Sequence, residues 1–159
     1  MLAKISIKLT SHFLGSTKPD KDGVRKIFMT DGKPTFYTTE FLKFCHRVAK
    51  ELKLAKYTKD TIIVSKYFTT TAEPNILTIK YNDIYGDPQV SKFEAYPKGT
   101  ILTFTCLIDE DQITIKQLEK IFEAVGMYSG VSQFGRKKQF GSFKVETITK
   151  DEIPTGLFI

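Results

Sequence analysis

Cysteine, histidine and tryptophan are scarce: 159 residues hold two of each of the first two and none of the third. Two cysteines and two histidines scattered along the chain offer no zinc-ligand spacing. Cys45 and Cys106 each fall on an apolar periodic face. Both therefore read as small buried hydrophobes in a reducing cytoplasm rather than as a disulfide. There is no phosphate-binding G-x-x-x-x-G-K-S/T motif, and the glycines that do cluster follow a helix pattern and precede a strand pattern. A dinucleotide fingerprint needs the reverse order. No apolar run approaches the ~20 residues of a membrane span. The opening "MLAKISIKLTSHFLG" alternates in polarity, unlike a secretory leader. The expectation is a soluble cytoplasmic protein without cofactor, metal or membrane partner.

Carboxylates are also in deficit, 18 against 24 lysines and arginines, for a net charge of +6. A positive excess favours anionic partners such as nucleic acid, the more so where cations interleave with aromatics. Charged residues make up 26 % and hydrophobic ones 41 %, an ordinary globular balance. The length suits one domain spanning residues 1–159.

Residues 2–9, "LAKISIKL", set Ala3, Ile5, Ile7 and Leu9 on one face and Lys4, Ser6 and Lys8 on the other, the pattern of a half-buried strand. "TSHFLGSTKPDKDG" reads as a loop, and "VRKIFM" with a turn at Asp31-Gly32 as a hairpin. Over 39–54 the period changes: Leu42, Cys45, Val48, Ala49 and Leu52 form one stripe of an amphipathic helix. Lys43, His46, Arg47, Lys50 and Lys53 lie mostly off it. Strand patterns follow at 61–70, 75–81, 89–96 and 100–108, with Asn82, Gly86, Asp87 and Pro88 marking the middle turn. A second helix opens on a capping box, Thr114 with Gln117, and a staple, Ile113 with Leu118. Its stripe is Leu118, Ile121, Phe122 and Val125, and Gly126 is placed to end it. Strand alternation returns at 142–149.

Without the hairpins the order is strand, helix, strand, strand, helix, strand. That is an α+β chain of ferredoxin-like, split βαβ type, with an antiparallel sheet, two helices on one face and inserted hairpins.

The densest constellation is "GMYSGVSQFGRKKQFGSFKV", residues 126–145. Gly126, Gly130, Gly135 and Gly141 allow close backbone approach, while Tyr128, Phe134 and Phe140 interleave with Arg136, Lys137 and Lys138. Rings stack on unpaired bases and cations neutralise phosphates, so a glycine-rich basic loop at about 126–141 suits single-stranded RNA or DNA. Between 126 and 150 five cations face Glu146 alone, concentrating +4 of the net charge. Lys43, Arg47 and Lys50 of the first helix would extend the track. The competing structural reading is a flexible loop whose aromatics fold back on the core. Asp109, Glu110 and Asp111 precede the capped helix, where acidic residues favour its N-terminus over a metal. His12, after the first strand, and His46 could supply a proton acceptor and donor for metal-independent RNA cleavage. His46 on a basic helix face also reads as simply solvated. The apolar tail Leu157, Phe158 and Ile159 suits docking either on the core or on a host or phage protein, and a homo-oligomer is left open.

The pieces "FLGS", "FYTTEFLKFC", "YPKGTILTFTCLI" and "FGRKKQFGSFKV", in this order, resemble a family of uncharacterised bacteriophage proteins. Those are in turn similar to the RAMP superfamily, the repeat-associated RNA-binding proteins of CRISPR systems. The resemblance implies a ferredoxin-like fold and a glycine-rich loop near RNA, with Gly130, Gly135, Arg136 and Gly141 in the comparable stretch. Ser142 stands where the superfamily often has arginine. It also implies action in a host cytoplasm.

Overall fold

The computed structural model describes residues 1–35, 38–128, 130–131 and 140–151. Strand β1 (Leu2–Leu9) follows its alternation: Ala3, Ile5, Ile7 and Leu9 are buried, Lys4 and Lys8 exposed. It is the second strand of a four-stranded sheet with β6 (Ile62–Val64), β9 (Ile101–Ile108) and β10 (Phe143–Asp151), in the order β10-β1-β9-β6. Every neighbouring pair is antiparallel. Ile5 sits between Phe104 and Ile148, and Ile7 between Leu102 and Val145, so the apolar positions of three strands share one face.

Two helices cover that face. Helix α1 (Thr38–Glu51) contributes Phe41, Cys45, Val48 and Ala49, and α2 (Ile115–Tyr128) contributes Leu118, Ile121, Phe122 and Val125. Phe41 lies 5.3 Å from Phe122 and 6.3 Å from both Phe104 and Phe143, ring centre to ring centre. Phe143 pairs with Leu9 in the sheet, so α1 begins at the Leu9 end and runs away from it. Among the described residues the architecture is α+β, mostly antiparallel, with two helices.

A second sheet is built on β8 (Pro88–Tyr96). It pairs along its length with β7 (Asn75–Asn82) and near its base with β2 (Phe13–Leu14) and β3 (Val24–Arg25), the last in parallel. Phe68 meets Phe13 and Tyr96 edge to face, and the three rings tie this sheet to the main core. The expected hairpin appears as β4 (Met29–Thr30) and β5 (Lys33–Pro34). Its turn residues Asp31 (φ 53°) and Gly32 (φ 74°) both occupy the left-handed region that tight hairpins require.

Four expectations change in detail. The strand pattern over 61–70 pairs only at Ile62–Val64; the chain leaves the ladder after Ser65 and returns as a single bridge between Thr69 and Thr103. The loop around 10–14 contains β2. Helix α1 stops at Glu51, because Leu54 N–H bonds Ala49 C=O and Lys53 N–H bonds Lys50 C=O, a Schellman closure. Leu52 therefore falls outside the stripe, 43 % exposed, and Phe41 takes its place in the core. Finally, Gly126 does not end α2. It is buried within the helix, and a Cβ built on it would lie 2.3 Å from the Phe143 carbonyl oxygen. Its role is close helix–strand approach, and the glycine-rich stretch starts after Tyr128.

The Schellman closure puts Lys53 at φ 58°, where a side chain costs ~1 kcal/mol relative to glycine. Lys53→Gly should raise stability by about that amount in urea unfolding.

Cys45 and Cys106 are fully buried, and burial pushes both thiols well above their ordinary range. The folded state keeps them neutral, whereas unfolded thiols ionise from about pH 8.5. The raised native value means their contribution is complete below that pH and is lost as pH rises above it. Urea midpoints should be level through neutrality and fall above about pH 8.5. A disulfide thiol reagent should modify neither cysteine in the native protein at pH 7 and both after denaturation.

Candidate nucleic-acid interface

The second face of the main sheet is not covered by the helices. Register places rows of residues there running from β10 through β1 to β9, and the three rows nearest the Lys8 end hold nine of them. These three are Thr149–Lys4–Thr105, Thr147–Ser6–Thr103 and Lys144–Lys8–Ile101. Ser6 and Thr103 hydroxyls bond at 3.0 Å. These nine positions hold no carboxylate; the next row on this face, Asp151–Leu2–Leu107, lies at the end of the sheet away from Lys8 and does. A bulge between the first two strands sets the last row: pairing jumps from Ser6↔Thr147 to Ile7↔Val145, which leaves Glu146 out of the ladder and puts Lys144, not Val145, opposite Lys8. On the helix side, the Val145 N–H donates to Glu123 Oε1 at 3.0 Å.

Lys8 and Lys144 are direct cross-strand partners and both exposed. Like charges facing each other across a ladder destabilise it by a few tenths of a kcal/mol or more. Among the described residues neither lysine has an ion-pair partner; the three ion pairs are Lys26–Asp20, Lys43–Glu40 and Lys150–Glu110. The arrangement is one that an external anion would relieve.

This pair adjoins the base of the glycine-rich stretch, whose ends are clasped. Val131 N–H donates to Gly141 C=O (2.9 Å), Gly141 N–H to His12 C=O (2.7 Å) and Gly130 N–H to Val125 C=O (2.7 Å). Gly130 has φ +80°, and a Cβ there would sit 2.4 Å from the Gly141 oxygen. Ser142 N–H donates to Ser11 Oγ at 2.9 Å, and the two serine hydroxyls bond at 2.6 Å. Two strand ends thus meet as a closed stem beside Lys8 and Lys144.

The sequence-predicted residues divide accordingly. Gly130 and Gly141 form the stem, and Tyr128, 67 % exposed, stands at the last position of α2 leading into it. Phe134, Gly135, Arg136, Lys137 and Lys138 lie outside the described residues, as does the tail 152–159. Phe140 is half-buried against Leu14, Phe93 and Ala95, so at this ring the fold-back reading holds. Lys43, Arg47 and Lys50 are exposed on α1, in the layer on the opposite side of the sheet from the lysine grid. Arg47 lies over the Phe44 ring at 5.5 Å. His12 adjoins the stem, whereas the His46 ring packs on Tyr57 at 5.6 Å. Asp109 Oδ1 accepts from Asp111 N–H at 3.0 Å, and Glu110 pairs with Lys150 at 3.7 Å, so this acidic cluster works locally ahead of α2. Among the described residues no group of three or more His, Cys, Asp and Glu is arranged to hold a metal, and no helix is long and apolar enough to cross a membrane.

Sequence reasoning missed two features. Lys8 and Lys144 were visible as polar-face residues, but nothing local shows that β1 and β10 pair in this register. The other is the tip of the β7–β8 finger, where Ile84 and Tyr85 are 92 % and 83 % exposed. An apolar pair between Asp83 and Gly86 was its only signal. Asp83 Oδ1 caps the tip by accepting from Tyr85 N–H (2.9 Å) and Asp87 N–H (3.0 Å).

No family model and no curated protein sequence matches this chain. Among solved structures, a chain of a "Type IV-B CRISPR Complex" aligns over 100 % of this chain and 95 % of its own length, with a TM-score of 0.56 and 14 % identity. A chain of a "CRISPR RNA-guided surveillance complex" aligns over 93 % and 68 %, with a TM-score of 0.49 and 10 % identity. The first likeness establishes a shared fold along the whole chain.

Proposed function

We propose that this chain is a non-catalytic nucleic-acid-binding component of a ribonucleoprotein assembly, built on a ferredoxin-like, split βαβ frame, that holds single-stranded RNA or DNA across the open sheet face. The observation that carries the reading is the set of three rows, rich in ammonium and hydroxyl groups and without a carboxylate, that ends on the opposed Lys8 and Lys144. These groups donate to phosphate and sugar oxygens, which positions a strand without reading its sequence. The grid has no ring, so base stacking falls to Tyr128 and to Phe134 of the adjoining stretch, with Arg136, Lys137 and Lys138 supplying further phosphate contacts. A fold shared with a chain of a CRISPR complex, together with the sequence resemblance to the RAMP superfamily, supports RNA as the first ligand to test. A phage protein acting in its host's cytoplasm is the matching biological setting.

Fluorescence anisotropy with single- and double-stranded RNA and DNA tests this. On a single strand, log K falls by about 0.7 per phosphate contacted for each unit of log salt. Three contacts, through Lys4, Lys8 and Lys144, should weaken binding about 20-fold between 50 and 200 mM salt. Contacts through Arg136, Lys137 and Lys138 add to that loss, so their triple alanine variant should bring the salt slope back toward the three-contact value. Absence of a complex at micromolar protein, or binding indifferent to salt, would reject the reading.

A second reading rests on the bare fingertip. Ile84 and Tyr85 suit insertion into an apolar pocket of a protein neighbour, which makes the chain an interaction module such as an inhibitor of a defence complex. Exchanging both for serine should leave nucleic-acid affinity unchanged and abolish capture of that neighbour.

A further inference from the structure

Two hollows of about 450 and 380 Å³ lie side by side along the outer face of α1. Their opposite wall is the turn that follows the helix. Lys43 and Lys59 line the first, Lys50 and Lys53 the second, and His46 and Tyr57 line both. The two rings meet at 60° with centres 5.6 Å apart, forming an aromatic ridge between the hollows. No carboxylate lines either one.

The wall is held in place. Tyr57 N–H donates to Leu54 C=O (3.1 Å), Thr58 N–H to Thr61 Oγ1 (2.8 Å) and Thr61 N–H back to Thr58 C=O (3.1 Å). Glu40 pairs with Lys43 at 3.7 Å in the open, while Lys50, Lys53 and Lys59 hold no ion pair among the described residues. A cation at the C-terminus of a helix offsets its dipole. That accounts for Lys50, but not for Lys43 one helical turn before His46, nor for Lys59 on the far wall. Lys53 also keeps a side chain at a left-handed φ of 58° where glycine is the usual choice.

We propose that this trough is a second nucleic-acid site, distinct from the sheet face, that takes two or three nucleotides of a single strand. One base stacks on the His46–Tyr57 ridge, and the flanking phosphates fall in the two lysine-lined hollows. Lys43 and Lys50 are seven residues apart, so their origins are about 10 Å apart along the helix axis, with the ridge between them. A phosphate–base–phosphate sequence matches that alternation of cation, ring and cation. The inference rests on the reading that the chain handles single strands, but it assigns α1 its own site instead of an extension of the loop's track.

The test is a titration of isotope-labelled protein with a 5′-phosphorylated trinucleotide, followed by amide NMR, alongside anisotropy with a 20-nucleotide strand. The trinucleotide should shift the amides of His46, Tyr57 and Lys59. Its affinity should fall at least tenfold in Lys50→Glu/Lys59→Glu and in His46→Ala, and hold in Lys8→Glu. The Lys50→Ala/Lys59→Ala variant repeats the measurement without added acid, and thermal unfolding checks that each variant folds. Shifts confined to the sheet face, unchanged affinity in the trough variants, or equal competition by tripolyphosphate would overturn the proposal. If the trinucleotide binds in the trough and the long strand ignores Lys8→Glu, the sheet-face reading fails while this one stands. The opposite pattern rejects the trough alone.

Discussion

Replacing Gly126 by alanine should destabilise the protein by about 3 kcal/mol, opposite in sign to the ordinary effect of that change. In an exposed helix interior, glycine to alanine gains ~1 kcal/mol. Here the added methyl would meet the Phe143 carbonyl oxygen at 2.3 Å and the Phe143 ring at 2.7 and 2.8 Å. The ring could turn, but the carbonyl belongs to the first residue of β10, which is hydrogen-bonded into the sheet beside Leu9. Relief therefore requires α2 to lift from the sheet, which loosens Phe122 and Val125 with it. Overpacking against backbone sits at or above the usual 1–3 kcal/mol for inserted methylenes. For a chain of this size the melting temperature should drop by about 6–12 °C. Gly86→Ala is the control: its φ is also positive, +81°, but nothing lies within 4 Å of a Cβ there, so only the backbone cost of ~1 kcal/mol remains. Equal effects at the two sites would show that the helix–strand contact is not what Gly126 serves.

Lys8→Glu should move stability and binding in opposite directions. It sets a carboxylate directly across the ladder from Lys144, replacing a like-charge pair by an attractive one. Cross-strand pairs of opposite charge contribute ~0.2–1 kcal/mol, so urea unfolding should shift upward by several tenths. Binding of a single strand should fall about 30-fold, because one charge-assisted contact, worth about 1.5–3 kcal/mol, is lost and repulsion is added. A residue pair kept at a cost to stability is expected where a surface serves a ligand. If Lys8→Glu leaves affinity unchanged, the sheet face is not the interface, whatever happens to stability.

Local elements were legible because their determinants are local. The alternation of "LAKISIKL" matched β1 residue for residue. The α2 capping box is present in both directions, Thr114 N–H to Gln117 Oε1 at 2.9 Å and Gln117 N–H to Thr114 Oγ1 at 3.2 Å. Misreadings arose where a local signal has two tertiary meanings. A glycine at the end of an apolar helical stripe serves as a cap when solvent follows and as a close-approach site when a strand lies against it. Gly126 is the second kind. Leu52 fits the α1 period, but the Schellman closure turns the chain one residue earlier than that period requires.

The sequence by itself determined the order of the main-sheet strands and the two helices, the apolar face of each, and the excess of cations over carboxylates, since these follow from neighbours a few residues apart. Tertiary structure alone decided which cations meet. Lys8 and Lys144 are 136 positions apart and face each other because of one strand register and one bulge. Lys50 and Lys59 look into adjoining hollows because the chain doubles back after α1. Strand pairing is chosen by burial of the opposite, apolar face, and the polar side chains are carried into place by that choice.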